Sequence, residues 1–257
     1  MQITRTAVIN DLHIPWHDPK AVSLTLDVIQ DINVDRIIIN GDLLDFYNIN
    51  AHGPKHPDAQ EALEDELYQG KEFLTGLRKR FTNQHLVFLF GNHENRLDRY
   101  ILNKCPAFWN LVRLDKQLGL KLLDVEWYDY NYEYRLENTN LFVQHSPPSY
   151  SENLAMTSLK KKLDHSAIYG CSHRMDFACK TGKQGVYEVW ANGWLGSTDL
   201  SKGHSRVFSY AKGHQNWQQC FSIVNVIDGK EFQVQQIPIR KSKNKYWCIV
   251  DGFYYEG

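Results

Sequence analysis

No pair among the five cysteines (Cys105, Cys171, Cys179, Cys220 and Cys248) has the C-x-x-C spacing of a zinc knuckle or a redox dithiol, and an odd count leaves at least one thiol without a partner. A disulfide framework is therefore excluded, and free thiols in a reducing compartment are expected. Long apolar runs are absent too: none approaches the ~20 residues that cross a bilayer. The first residues enter a β-branched segment, with no basic stretch followed by an apolar one, so neither a secretory leader nor a membrane partner is expected and the location predicted is cytoplasmic. Charge of one sign is also missing. A formal net charge of −1 creates no field that would recruit nucleic acid or an anionic membrane, although a local basic patch is compatible with it. Repeats, low-complexity tracts and linkers are not found. With 42% hydrophobic residues in 257, one domain over residues 1–257 can bury a substantial core.

Residues 4–10 (TRTAVIN) are rich in β-branched side chains and predict a strand ending at Asp11. Asp18-Pro19 has the form of a helix start, Asp as N-cap and Pro at the first helical position, and Val22, Leu26 and Ile29 follow at helical spacing. Residues 36–40 (RIIIN) are nearly all apolar, as in a strand covered on both faces, and stop at Gly41-Asp42. A second amphipathic helix is predicted over residues 58–80, with Leu63, Leu67, Leu74, Leu77 and Phe81 on one face, and residues 85–90 (HLVFLF) form a third strand. This alternation predicts a parallel sheet.

Further on the pattern changes. Residues 141–144, 167–169, 186–190, 220–227 and 232–239 are short strand candidates, interrupted by one helix near 152–163. They predict a second, antiparallel or mixed sheet packed on the first. The aromatic tail (Tyr246, Trp247, Phe253, Tyr254 and Tyr255) is expected to serve strand packing or an interface.

Three strands end in polar residues that are costly to bury without a purpose: Asp11-Leu12-His13, Gly41-Asp42-Leu43-Leu44-Asp45 and Gly91-Asn92-His93-Glu94. Ligands of an open α/β sheet sit outside the carboxyl ends of its strands, so these clusters should converge in space. Two later segments add imidazoles after apolar runs: His145, and His173 in Gly170-Cys171-Ser172-His173.

Together, in this order, the five elements resemble the calcineurin-like metallophosphoesterase superfamily, whose signature is D-x-H, GDxxD, GNHE or GNHD, a His after a strand, and GHxH. The resemblance runs from about residue 7 to 174, and residues 192–197 (NGWLGS) look like an altered form of the family's Asn-Pro-Gly-Ser turn. It implies an α/β sandwich of two mixed β-sheets flanked by helices, and an enzyme that hydrolyses phosphoester bonds with two divalent metal ions, Mn first, with Zn, Fe or Ni as alternatives. By position, Asp11, His13 and His173 would hold one ion, Asn92 and His145 the other, and Asp42 would bridge them. A shared carboxylate keeps two cations roughly 3.5–4 Å apart, the span of one phosphate. The resemblance further implies a bridging hydroxide attacking phosphorus, with His93 as general acid for the leaving group and Asp45 orienting His93 and raising its pKa. Asn92 would also meet the substrate.

The departures carry information. Where the family has the first His of GHxH, this chain has Cys171, and three arrangements are open: a thiolate ligand favouring a softer metal, a buried thiol beside a weaker second site, or loss of that site. The protein serine/threonine phosphatases of the superfamily carry Arg after GDxxD and before GNHE, and Phe46 and Phe90 stand there instead. A phosphomonoester thereby loses two bidentate partners. Arg96 and Arg174 are candidate substitutes. Residues 48–57, with His52, Lys55 and His56, and the basic, aromatic-interleaved residues 202–214 are candidate substrate contacts or plain surface loops.

The function expected is a phosphodiesterase or nuclease-type activity on a nucleotide or nucleic acid. Its rivals are a phosphomonoesterase or nucleotide pyrophosphohydrolase on the same site, and a non-catalytic scaffold, against which the presence of His93 and Asp45 argues. Oligomeric state is not legible in the sequence.

Overall fold

Three consecutive apolar residues, Ala7, Val8 and Ile9, decide the layering. In the computed structural model, which describes residues 1–49, 63–161, 164–183, 185–197, 216–243 and 245–257, β1 (Ile3–Ile9) sends Ala7 and Ile9 into one apolar cluster and Val8 into another, and all three are buried. Side chains alternate along a strand, so such a strand must be covered on both faces. α1 (Pro19–Asp31) returns the chain to β2 (Arg36–Asn40), and α2 (Leu63–Arg80) returns it to β3 (His85–Leu89). Each strand pairs in parallel with its predecessor. Asp18 caps α1 as expected: its Oδ1 accepts from the N–H groups of Lys20 (3.1 Å) and Ala21 (3.3 Å).

After α3 (Glu94–Lys104) and two short helices, α4 (Trp109–Val112) and α5 (Leu114–Leu118), β4 (Val125–Tyr128) extends the parallel run. Next come β5 (Tyr134–Arg135), β6 (Leu141–Gln144), α6 (Leu154–Lys160), β7 (Ser166–Tyr169), β8 (Asp176–Gly182) and β9 (Gly185–Ala191). These five strands form the second sheet, in the order β5-β6-β7-β9-β8 with both parallel and antiparallel pairs. Its Leu141, Val143, Ile168 and Trp190 meet Val8, Ile38, Val87 and Leu89 of the first sheet in one buried layer. α6 covers the outer face of the second sheet through Leu154, Ala155 and Leu159.

One expected grouping is corrected. β10 (Cys220–Ile227) and β11 (Glu231–Pro238) join the first sheet, β10 antiparallel to β1 and β11 beyond it, giving the order β11-β10-β1-β2-β3-β4. Both sheets are therefore mixed, as the family resemblance implied. The physical reason is the register Ile3↔Ile227 to Val8↔Ser222, which leaves Val224 and Val226 facing the second sheet beside Val8. The aromatic tail forms a separate three-stranded sheet of β12 (Arg240–Ser242), β13 (Lys245–Val250) and β14 (Phe253–Glu256). Tyr246, Cys248 and Val250 join the cluster under α1, and the Tyr246 hydroxyl donates to Asp18 Oδ2 at 2.7 Å. The tail thus braces the helix cap. Among the described residues no helix is long and apolar enough to cross a membrane.

Candidate metal centre

The polar strand ends are laced together by their own backbones. Asp11 N–H donates to the Gly41 carbonyl (3.1 Å), His13 N–H to the Asp42 carbonyl (2.9 Å), and Asp45 N–H to the Ile14 carbonyl (3.1 Å), so the ladder of β1 and β2 continues past their regular ends. Gly170 N–H donates to His145, and Leu195 N–H to Asp11 (3.0 and 3.1 Å), which ties in the segments after β6, β7 and β9. Five of the residues concerned have left-handed backbone: Asp11 (φ 53°), His13 (52°), Asp42 (50°), Cys171 (64°) and His173 (57°). That conformation costs a side-chain-bearing residue free energy and turns its side chain off the line of the strand.

Glu94 holds the second and third loops together. Its Oε2 accepts from the N–H groups of Asp42 (2.8 Å) and Gly91 (2.7 Å), and its Oε1 from that of Leu44 (3.0 Å). Burial and the adjacent Asp42 carboxylate nevertheless push its pKa up to about 7. At Gly91 the packing leaves no room for a side chain: a Cβ there would lie 2.2 Å from Asp42 Oδ1.

Inside this frame the expected residues meet. Asp11, His13, Asp42, His93, His145 and His173 are each at most 7% exposed. One cluster joins Asp11, His13 and His173: Asp11 Oδ1 lies 3.2 Å from His173 Nε2 and 3.7 Å from His13 Nε2, and the two imidazole nitrogens are 3.0 Å apart. A second joins Asp42, His145 and Cys171, with His145 Nε2 3.2 Å from Asp42 Oδ2. Asn92 belongs with it, its Oδ1 lying 3.0 Å from His145 Nε2 and 2.9 Å from Cys171 Sγ. Asp42 Oδ2 stands between the clusters, 3.8 Å from His13 Nε2 and 3.6 Å from His93 Nε2.

The donor set fits cations. His13 gives its Nδ1–H to Asp45 Oδ1 (3.0 Å), and His145 gives its Nδ1–H to the Asn40 carbonyl (2.7 Å). Such outer partners fix the tautomer and aim the Nε2 lone pair inward. There His145 Nε2 meets Asn92 Oδ1, and His13 Nε2 meets His173 Nε2. With Nδ1–H of His145 given to Asn40, its contact with Asn92 Oδ1 sets two acceptors against each other and calls for positive charge between them, while the two imidazoles of His13 and His173 converge on the same space. Asp11 Oδ1 is buried with no well-formed hydrogen bond among the described residues, its nearest nitrogens being Nε2 of His173 and His13 at 3.2 and 3.7 Å. Without a metal, protons on these imidazoles meet the same demand for positive charge. Burial opposes charging of His13, yet Asp11, Asp45 and Asp42 push it up to about 10, and Asp42 likewise lifts the buried His145 well above the ordinary imidazole value. Asp11, Asp42 and Asp45 are held below the carboxylate range by the surrounding imidazoles despite their burial.

Asp45 differs in part from expectation. It does reach His93, with its carbonyl 2.7 Å and its Oδ1 3.2 Å from His93 Nδ1, but the same Oδ1 is shared with His13. The pKa of His93 is lowered, not raised: burial leads, and the positive groups of His13 and Arg96 add to it against Asp42 and Asp45. Arg96 donates from Nη1 to the Asp45 carbonyl (2.8 Å) and from Nη2 to His93 Nε2 (2.7 Å). Arg174 instead turns to the Tyr150 carbonyl (3.3 Å). Phe46 and Phe90 are buried in the main core. Residues 52, 55 and 56 and the stretch 202–214 lie outside the described residues.

Sequence reasoning missed the aromatic wall. Trp194, from the altered turn, stacks on His173 (centroids 4.8 Å apart, planes 12° apart), and Trp217 meets His173 edge-on at 4.6 Å. It also missed Asn10, which donates to Asp11 Oδ2 and, at 2.5 Å, to the Gly193 carbonyl, while Asn192 donates to Asn10 Oδ1 at 2.8 Å. The only signal was an amide at the end of each of two strands.

Comparison with known proteins adds a family. A sequence model described as calcineurin-like phosphoesterase matches residues 4–252. Gene 54 protein of Mycobacterium phage L5 is 26% identical over 248 residues, spanning 91% of this chain and 93% of that protein. Solved structures that superimpose include Chaetomium thermophilum Vps29, with a TM-score of 0.49 and 11% identity over 98% of this chain and 96% of that one. Another is Yfce, a phosphoesterase from E. coli, with a TM-score of 0.40 and 14% identity over 91% and 98%.

Proposed function

Because this chain belongs to the calcineurin-like phosphoesterase family, and so is a hydrolase acting on phosphoester bonds, we propose that it is a two-metal phosphodiesterase cleaving nucleotide or nucleic-acid diesters. In this proposal Asp11, His13 and His173 hold one divalent cation, Asn92 and His145 hold the other with Cys171 alongside, and Asp42 serves both. The observation that carries it is the position of Asp42 Oδ2, 3.2 Å from His145 Nε2 in one cluster and 3.8 Å from His13 Nε2 in the other. Bound there, two divalent ions supply Lewis acidity toward the phosphoryl oxygens and an acidified water. Mixed imidazole, carboxylate and amide donors suit Mn, and a thiolate at Cys171 favours Zn or Fe.

His93 gives the leaving oxygen a proton from Nε2, once that nitrogen, which accepts from Arg96 here, has taken one up from water to form the imidazolium. Nδ1 is engaged by Asp45, so Nε2 is the nitrogen turned toward the cluster. Arg96 covers that nitrogen at 2.7 Å, and an anionic phosphoryl oxygen draws the guanidinium away and frees it. General acid catalysis of this kind contributes about 10²–10⁴ in rate. Burial of Phe46 and Phe90 leaves no guanidinium at either position, which favours a diester with one negative charge over a monoester with two.

The test compares bis-p-nitrophenyl phosphate with p-nitrophenyl phosphate on protein loaded with Mn, Ni or Zn. Faster turnover of the diester with at least one metal is expected. A monoester rate equal or higher with every metal overturns the proposal.

A further inference from the structure

Although the chain is nearly neutral overall, residues 240–245 (RKSKNK) hold four cations: Arg240, Lys241, Lys243 and Lys245. Lys245 is engaged by Glu256 at 2.8 Å. Arg240 and Lys241 are exposed and have no carboxylate partner among the described residues. Both line a cavity of about 510 Å³, together with Trp217, Gln218, Ile239 and Trp247. That volume lies within the roughly 300–1,000 Å³ of small-ligand sites. One wall of the cavity adjoins the candidate metal centre: the ring of Trp217 meets His173 edge-on, and Gln218 N–H donates to the His173 carbonyl at 2.9 Å. It runs to the β12–β13 ladder, where Arg240 pairs with Trp247. Trp217 and Trp247 are both only partly buried.

Partly exposed indole rings interleaved with cations that have no carboxylate partner among the described residues, Lys241 lying over the Tyr246 ring at 5.3 Å, match one ligand chemistry. Bases stack on the rings, and backbone phosphates pair with the cations. An acidic peptide would use the cations but would have no reason for two tryptophans. We propose that this cavity is a binding groove for single-stranded nucleic acid beside the metal centre, with bases on Trp217 and Trp247 and phosphates on Arg240 and Lys241. Its place next to the chemistry rests on the phosphodiesterase assignment; its capacity to bind does not.

Two phosphate contacts on a single strand give a salt slope of about −1.4, so affinity should fall roughly sevenfold between 50 and 200 mM salt. Removing both contacts should weaken binding roughly 60-fold at 50 mM, the same slope carried to 1 M. The experiment measures fluorescence anisotropy of labelled oligothymidylate and oligouridylate on the full chain in EDTA, where nothing is cleaved, for wild type and Arg240→Ala/Lys241→Ala. The double variant should lose that affinity and its salt dependence while turning over bis-p-nitrophenyl phosphate normally. Indifference of binding to the double variant overturns the groove, as does polyglutamate competing as well as the oligonucleotide. Arg240- and Lys241-dependent binding without cleavage of any diester leaves the groove standing and fails the diesterase assignment. Diester cleavage with variant-independent binding does the reverse.

Discussion

Adding one methyl group at Gly91 should damage the centre, whereas the same methyl at Gly76 should strengthen the protein. At Gly91 the new Cβ would stand 2.2 Å from Asp42 Oδ1 and 2.5 Å from Asp42 N, whereas ordinary contact starts at 3.4 Å. Asp42 must therefore retreat by roughly 1.2 Å, and it is anchored by the N–H of His93 on Oδ1 (2.9 Å) and by Glu94 on its own amide (2.8 Å). Overpacking of this kind costs about 1–3 kcal/mol. Ligand distances in metal sites hold to about 0.2 Å, so metal affinity should fall by about 10–100-fold. Gly76 lies inside α2 with nothing within 4 Å of the added carbon, and Gly→Ala in a helix interior stabilises by about 0.5–1 kcal/mol. The two alanine variants should thus differ by about 3 kcal/mol, or roughly 6–12 °C in Tm for a chain of this size. Urea unfolding in EDTA, followed by tryptophan fluorescence, reads the stability difference; competition with a chromophoric chelator reads the metal. Gly91→Ala within about 0.5 kcal/mol of wild type and with unchanged metal affinity would refute the reasoning.

Three further outcomes are expected. In cobalt-loaded protein, Cys171→Ser should remove the near-ultraviolet thiolate-to-metal absorption and lower the metal content; an unchanged spectrum would show that Cys171 is not a ligand. His93→Ala should lower kcat by about 10²–10⁴ on a diester with a poor leaving group, much less with p-nitrophenolate, and leave bound metal unchanged; an equal loss on both substrates argues against proton donation. Tyr246→Phe deletes the hydroxyl that donates to buried Asp18, so it should lower stability by about 1 kcal/mol in urea titrations without altering hydrolysis.

The first half of the fold was legible because β1, β2 and β3 are apolar runs that must be covered on both faces and that stop at Asp or Asn. Strand pairing after residue 140 was not. The pattern of residues 220–227 states that they are buried, but burial does not name the neighbour, and the partner β1 is more than 200 residues away. β4, β5, β8 and the helices α3 to α5 were not read; α4 and α5, at four and five residues, are too short to show a period. At the site, the residue types and their convergence were legible, whereas the contacts that tune them were not. Asp45 is shared by His13 and His93, Arg96 covers His93, and Trp194 stacks on His173, each through side-chain directions that spacing does not encode.

The left-handed turns at Asp11, His13, Asp42, Cys171 and His173 have a consequence beyond geometry. At about 1 kcal/mol each they withhold roughly 5 kcal/mol from a fold whose whole margin is about 5–15. Glycine would adopt each of those backbones at less cost and would supply no ligand to the proposed centre. Durability and hydrolysis therefore pull these five positions in opposite directions. Glycine at any one of these turns should raise the unfolding free energy of the metal-free protein while removing a side chain of the proposed centre.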